Sequence, residues 1–281
     1  MNRILLLLFF AFLAEATAAQ DAFAVKAMSY NIRFNNPGDG PNAWPNRKDV
    51  LIRQVQFYGP DVIGMQEVLK GQLDTLDARL DNYASVGVGR DDGKEAGEYS
   101  PLLYRSDRFE LETSGTFWLS TTPEKVSKGW DAALPRICTY ARLREKASGE
   151  TFWVFNTHFD HVGVEARRES VKVIHEQIQR LNADGLPVVI TGDFNVQPSD
   201  EPIVFMHQNY GDAWEDSQLP AYGPVGTFSG FQADHPLDRR IDYIFFSEKD
   251  WRVKRVAHLA TLRDGRWPSD HLPVFAELFL K

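Results

Sequence analysis

Cys138 is the only cysteine in 281 residues, so no internal disulfide can form and stability must come from burying apolar groups. It sits in the segment RICTYARL and reads as a small buried residue. Long basic runs are also missing. Lys and Arg come in pairs at most, such as Arg47-Lys48, Arg167-Arg168 and Arg239-Arg240, and the formal net charge is −8. Proteins that grip many phosphates carry a basic face, so its lack argues against a long polyanion and for a small or single-phosphate ligand. Internal repeats, low-complexity tracts and Pro/Gly linkers are absent as well, which excludes a repeat architecture and favours one domain over residues 21–281. Beyond the first twenty positions no run approaches the ~20 apolar residues that a membrane-spanning helix needs. No membrane span and no protein partner are indicated.

The first residues are different. Arg3 precedes an apolar run over 4–14, and the small residues Ala16-Thr17-Ala18-Ala19 follow it. The run is about half the length of a membrane-spanning helix, and a small-residue site follows directly, so residues 1–20 read as a cleavable signal peptide. The expected mature chain is exported, to the periplasm or the medium.

Segments rich in β-branched and aromatic residues, bounded by turn formers, recur to the end of the chain. They predict strands over 25–34, 61–66, 83–88, 101–105, 109–119, 137–143, 152–156, 187–190, 241–246, 251–260 and 272–280. Helical periodicity marks 47–58, 69–82 and 164–182; in the last, Val171, Ile174, Ile178 and Leu181 share a face. Strands far outnumber helices. The expected class is α/β, a four-layer sandwich of two mixed β-sheets packed face to face with helices on the outside.

Polar residues able to bind metal or move protons gather at the ends of these apolar strands. Asn31 closes MSYNIRF, Glu67 lies in VIGMQEV, His158 and Asp160 in VFNTHFDH, Asp193 and Asn195 in VVITGDFNVQP, and Asp270 and His271 in WPSDHLPVF. Asp242 stands inside RRIDYIFFS, where a desolvated carboxylate needs a partner such as a histidine. Each has a structural alternative. Asn31 can satisfy backbone groups, Glu67 can cap the next helix, and Asp193 can form an Asx-turn. Their joint occurrence favours a site.

The ordered set of Asn31, Glu67, His158 with Asp160, GDFN at 192–195, IDYIFF at 241–246 and SDH at 269–271 resembles the endonuclease/exonuclease/phosphatase superfamily. SYNIRF, NTHFDH and the GEYSPLLYR around Glu98 resemble a bacterial branch related to nocturnin and the deadenylases. The resemblance implies hydrolysis of a phosphate ester by direct attack of water, with no covalent enzyme intermediate. It implies an oxygen-rich site for Mg²⁺, with Mn²⁺ as the alternative, built on Glu67 with Asn31 and Asp270. It further implies that Asp193 orients the water and Asn195 binds phosphate oxygens. His158 would hydrogen-bond the phosphoryl group, and His271, oriented by Asp242, would contact the phosphate or take a proton. Asp160 would line the leaving-group side.

Arg90, Arg136 and Arg168 are candidates for an anionic substrate group, and Trp44, Trp118, Trp130 and Phe231 for stacking on a base or sugar. Ser269 beside Asp270-His271 lacks a nucleophile-elbow context. The expected activity is that of a secreted Mg-dependent phosphodiesterase or phosphatase, with a secreted nuclease acting on DNA or RNA as the alternative. A binding module that has lost catalysis is a third reading, against which the full set of polar residues speaks.

Overall fold

The computed structural model describes residues 23–281; the segment read as a signal peptide lies outside the described residues. The strands are β1 (Ala24–Asn31), β2 (Val62–Gln66), β3 (Tyr83–Val86), β4 (Leu102–Arg105), β5 (Phe109–Trp118), β6 (Ile137–Glu145), β7 (Thr151–His158), β8 (Val188–Asp193), β9 (Gly211–Asp212), β10 (Asp242–Phe246), β11 (Trp251–His258) and β12 (Val274–Leu280). The helices are α1 (Trp44–Tyr58), α2 (Lys70–Asp77), α3 (Val164–Leu181) and α4 (Glu201–Asn209). Two six-stranded sheets result, ordered β11-β12-β1-β2-β4-β3 and β5-β6-β7-β8-β10-β9. The β1–β2 and β7–β8 pairs are parallel and the other pairs antiparallel, so both sheets are mixed as expected.

Three apolar clusters hold the layers together. Between the sheets lie Val25, Val62, Val154, Val189 and Ile244. Leu51, Ile52 and Val55 of α1, with Leu73 and Leu76 of α2, cover the outer face of the first sheet against Met28, Tyr30 and Ile63. Val171, Ile174 and Ile178 of α3, with Ile203 and Met206 of α4, cover the second against Trp153, Phe155 and Ile190. Each fully buried large side chain contributes on the order of 1.5–3 kcal/mol relative to exposure. Helix α1 begins with Pro45 in its first turn and stops at Gly59, whose left-handed φ of 53° lets its N–H bond to the Val55 carbonyl. The nine-residue α4 and two-residue β9 were not among the expected elements; both are too short to show a period.

Alternation along the strands decides where polarity collects, because residues two apart share a face. The inward faces read Val25-Ala27-Ser29-Asn31, Val62-Gly64-Gln66, Phe152-Val154-Asn156-His158 and Val189-Thr191-Asp193. Each passes from apolar to polar toward its carboxyl end. Midway, Asn156 Nδ2 donates to the Met65 and Pro101 carbonyls at 2.7 and 2.9 Å, and its oxygen accepts from Gln66 Nε2 at 2.7 Å and Thr191 Oγ1 at 3.1 Å. This network joins the two sheets. A Cβ on Gly64 would lie 1.9 Å from Thr191 Oγ1, so only glycine fits there.

Candidate active site

The register of the second sheet sets His158 beside Asp193, and Asp193 beside Asp242. On the first sheet Asn31 ends β1, and Glu67 follows the last residue of β2. A regular strand would send Glu67 to the helix side. Its left-handed backbone, φ 60°, instead presents it to the cleft. Arg33 (φ 56°) and Asn195 (φ 52°) share this unusual conformation, so three non-glycine residues around one cleft carry backbone strain, a pattern common at functional sites. The last two polar residues, Asp270 and His271, arrive in the loop before β12, which is antiparallel to β1 and therefore starts at the same end.

These groups meet. Asn31 Nδ2 donates to Glu67 Oε1 at 3.0 Å and, across the sheets, to Asp193 Oδ2 at 2.9 Å. Its own oxygen accepts from the Arg33 amide at 2.9 Å, so both N–H groups and one lone pair of the carboxamide are used. Asp193 lies 3.6 Å from His158 Nε2 and 3.7 Å from His271 Nε2. Its second oxygen accepts from the Asn195 amide at 2.9 Å, so the Asx-turn and the site role coexist. Asn195 Nδ2 donates to the Phe159 carbonyl at 3.0 Å and lies 3.1 Å from His158 Nε2. Asp242 has the histidine partner its burial demanded, His271 Nδ1 at 2.8 Å. Glu67 does not cap α2. Its Oε2 accepts from the Phe34 amide at 3.1 Å, and the Leu69 amide at the start of α2 is held by Gln72 instead.

Burial, with Asp242 close by, pushes the Asp193 carboxyl well above the usual carboxylate range. Burial would lower the His271 imidazole, but Asp242, Asp193 and Asp270 outweigh it and raise its pKa. His158 goes the other way: burial first, then Arg136 and Arg90, hold it well below its ordinary value. One histidine is set to carry a proton and the other to stay neutral. Asp193, Asp242 and His271 offer ligand atoms within 4.8 Å of one another, and Asp242 Oδ1 is buried with no hydrogen-bond partner among the described residues. Glu67 and Asp270 face a cation already, with Arg33 at 3.8 and 3.9 Å from their carboxylates. The donor set is oxygen-rich, which fits a hard divalent ion.

The cleft has a volume of about 410 Å³, near the lower end of the ~300–1,000 Å³ typical of small-molecule sites. Ser, Thr and Cys are absent from its described lining, and Ser269 Oγ is occupied, donating to the Asn31 carbonyl at 2.7 Å. Arg136 is in its wall, and Asp160 anchors Arg136 Nε at 3.1 Å. Arg90 is buried and pairs with Glu98 at 2.7 and 3.1 Å, behind His158. Arg168 is not brought to the cleft; it pairs with Glu169 and Glu165 on α3. Nor are the four aromatic residues. Trp44 and Trp118 are buried, and the cleft is lined instead by Phe34 and Phe228. The sequence reading gave no role to Arg33, Glu98 or Arg239, which also line it. Glu98 was visible only as part of GEYSPLLYR, in a loop without periodicity.

A family model described as "Endonuclease/Exonuclease/phosphatase family" matches residues 28–271. An endonuclease/exonuclease/phosphatase family protein from Bacteroides thetaiotaomicron is 37% identical, with TM-score 0.90 over 93% of this chain and 96% of that one. The mannosyl-6-phosphatase of Bacteroides thetaiotaomicron VPI-5482 is 39% identical, with TM-score 0.86 over 90% and 99%. Human nocturnin is 23% identical over 90% of this chain and 64% of its own length. The chain spans about three-fifths of the curated relatives first matched.

Proposed function

Because the chain belongs to the endonuclease/exonuclease/phosphatase family, we propose that it hydrolyses a small phosphate ester by direct attack of water at a Mg²⁺-assisted site, with Mn²⁺ as the alternative ion. The observation that carries this reading is the position of Asp193, which touches Asn31 of the other sheet and lies under 4 Å from both His158 and His271. Buried and hydrogen-bonded on both oxygens, it is fixed to orient a water. His271, oriented by Asp242, stands ready to contact phosphate oxygens or exchange a proton. A bound phosphoryl group would draw away the Asn195 N–H now directed at His158 Nε2 and leave that ring nitrogen able to take a proton and donate as charge builds. Glu67 and Asp270 would hold the ion. Asn31 orients Glu67 through Nδ2 and keeps a second lone pair on its oxygen with which it would join them at the ion. When bound, the ion supplies positive charge against the non-bridging oxygens.

The small cleft and the mannosyl-6-phosphatase relative support a small substrate over a polymer. The nuclease alternative would reveal itself as oligonucleotide cleavage that weakens steeply with salt. Export of one domain over 21–281 is part of the proposal and rests on the composition of residues 1–20; the N-terminus of the exported protein, measured by mass spectrometry, tests it. For the activity, the purified protein is assayed on p-nitrophenyl phosphate and bis(p-nitrophenyl) phosphate with Mg²⁺, Mn²⁺ or chelator. Turnover that needs a divalent ion supports the proposal. Equal turnover in chelator would end it.

A further inference from the structure

The cleft is lined by the carboxylates Glu67, Glu98, Asp193 and Asp270 and by the cations Arg33, Arg136 and Arg239. Arg33 faces Glu67 and Asp270, whereas Arg136 lies elsewhere in the lining beside His161. Among these cations Arg136 is unusual. Its side chain is 4% exposed, yet Nη1 has no hydrogen-bond partner among the described residues. A buried guanidinium N–H left unpaired costs roughly 1–3 kcal/mol, more for a charged group, unless a ligand completes it.

The rest of Arg136 is held rigidly. Nε donates to Asp160 Oδ2 at 3.1 Å and Nη2 to His161 Nδ1 at 2.9 Å. Asp160 is itself fixed by the Val162, Gly163 and Leu134 amides at 3.0, 2.8 and 3.3 Å. Because Nδ1 of His161 accepts from arginine, the ring of neutral His161 keeps its proton on Nε2, as a second donor beside the first. A fork anchored on one side, with a buried N–H left unpaired on the other, in a residue that lines the cleft, suits an anion with several terminal oxygens. A diester phosphate carries one negative charge and two bridging oxygens. A monoester presents three terminal oxygens and up to two charges, one for the ion that Glu67 and Asp270 would hold and one for Arg136.

We infer that Arg136, anchored by Asp160 and flanked by His161, receives the terminal oxygens of a phosphate monoester and makes the cleft selective for monoesters over diesters. This inference rests on the hydrolase reading for its kinetic arm and is independent of it for its binding arm. Wild type, R136Q, R136K and H161A are compared for kcat/KM on p-nitrophenyl phosphate and bis(p-nitrophenyl) phosphate. Binding of inorganic phosphate is measured by calorimetry on metal-free protein at mildly alkaline pH, where phosphate is a dianion. The expected result is a monoester-to-diester ratio lowered at least tenfold in R136Q and severalfold in H161A. Phosphate affinity falls in the same order, and R136K lies between R136Q and wild type. Should R136Q fail to fold because Asp160 loses its partner, H161A and R136K carry the test, since His161 is exposed and lysine keeps the charge. An unchanged ratio with unchanged phosphate affinity in folded variants overturns the inference while leaving the hydrolase intact. If wild type hydrolyses neither ester with any divalent ion, yet loses phosphate binding on R136Q, the anion site stands and the hydrolase reading falls.

Discussion

The units β1–α1–β2 and β7–α3–β8 are built alike and finish differently. Each is a parallel strand pair joined by a helix that covers the outer face of its sheet, and each turns polar toward its carboxyl end. The first ends in Asn31 and Glu67, a carboxylate partly open to the cleft and facing Arg33. The second ends in His158 and Asp193, both buried and locked by register beside Asp242. One scaffold thus yields an accessible cation-facing oxygen and a desolvated carboxyl group with a raised pKa, and local backbone conformation and burial make the difference.

Breaking each unit at its tip should give the largest effects and distinguish them. Asp193→Ala is expected to lower kcat by about 10³-fold or more, with no recovery at raised Mg²⁺ or Mn²⁺. Glu67→Gln is expected to lower activity on the order of 10²-fold, with partial recovery as metal rises, because only this tip is assigned to the ion. Metal titrations of steady-state rates read both. Equal recovery in the two variants would erase the division of labour.

Next in size is the seam between the units. Asn156 bonds to Met65, Pro101, Gln66 and Thr191, so Asn156→Ala should cost about 2–4 kcal/mol in urea unfolding by stranding several buried polar atoms.

A pH effect of similar or smaller size is expected at His258, which ends β11 in the first sheet. Burial holds its imidazole down to about 4, against a 2.8 Å bond to the Pro224 carbonyl, with Arg240, Asp242 and Asp212 as charged neighbours. A histidine lowered in the fold contributes fully above its unfolded pKa of about 6.5, and that contribution is lost as pH falls toward the folded value. The loss is on the order of 3 kcal/mol at most. Thermal unfolding of wild type should therefore drop across this window more than that of His258→Gln. Parallel curves would refute this.

The smallest effect belongs to Arg168, outside the cleft and paired on the surface of α3. Arg168→Ala should leave activity within about twofold and the unfolding transition in place. A selective loss of kcat/KM would move it into the substrate path.

Much of this arrangement is legible in the residues themselves. Apolar segments such as MSYNIRF, VIGMQEV and VVITGDFN give way to Asn31, Glu67 and Asp193 near their ends, and a carboxylate among the apolar residues of IDYIFF calls for a partner such as a histidine. What escapes the sequence depends on stacking. The Asn31 to Asp193 bond joins residues 162 positions apart, and nothing local predicts it. Arg136 and Arg168 read alike as candidate cations for an anionic group. Only the cleft tells them apart, since one lines it with a buried unpaired N–H and the other pairs with Glu165 and Glu169 outside it. Glu98 shows the same limit, for its meaning comes from Arg90 and His158.

Cys138 lies on β6 with no exposed surface, and burial also raises its pKa, so it is hidden from solvent and kept in the unreactive thiol form. The native protein should therefore be silent toward thiol-directed dyes and spin labels. A cysteine introduced at exposed Arg239 on the cleft rim would be the sole reactive handle, and a probe attached there would report occupancy of the cleft without any background to subtract.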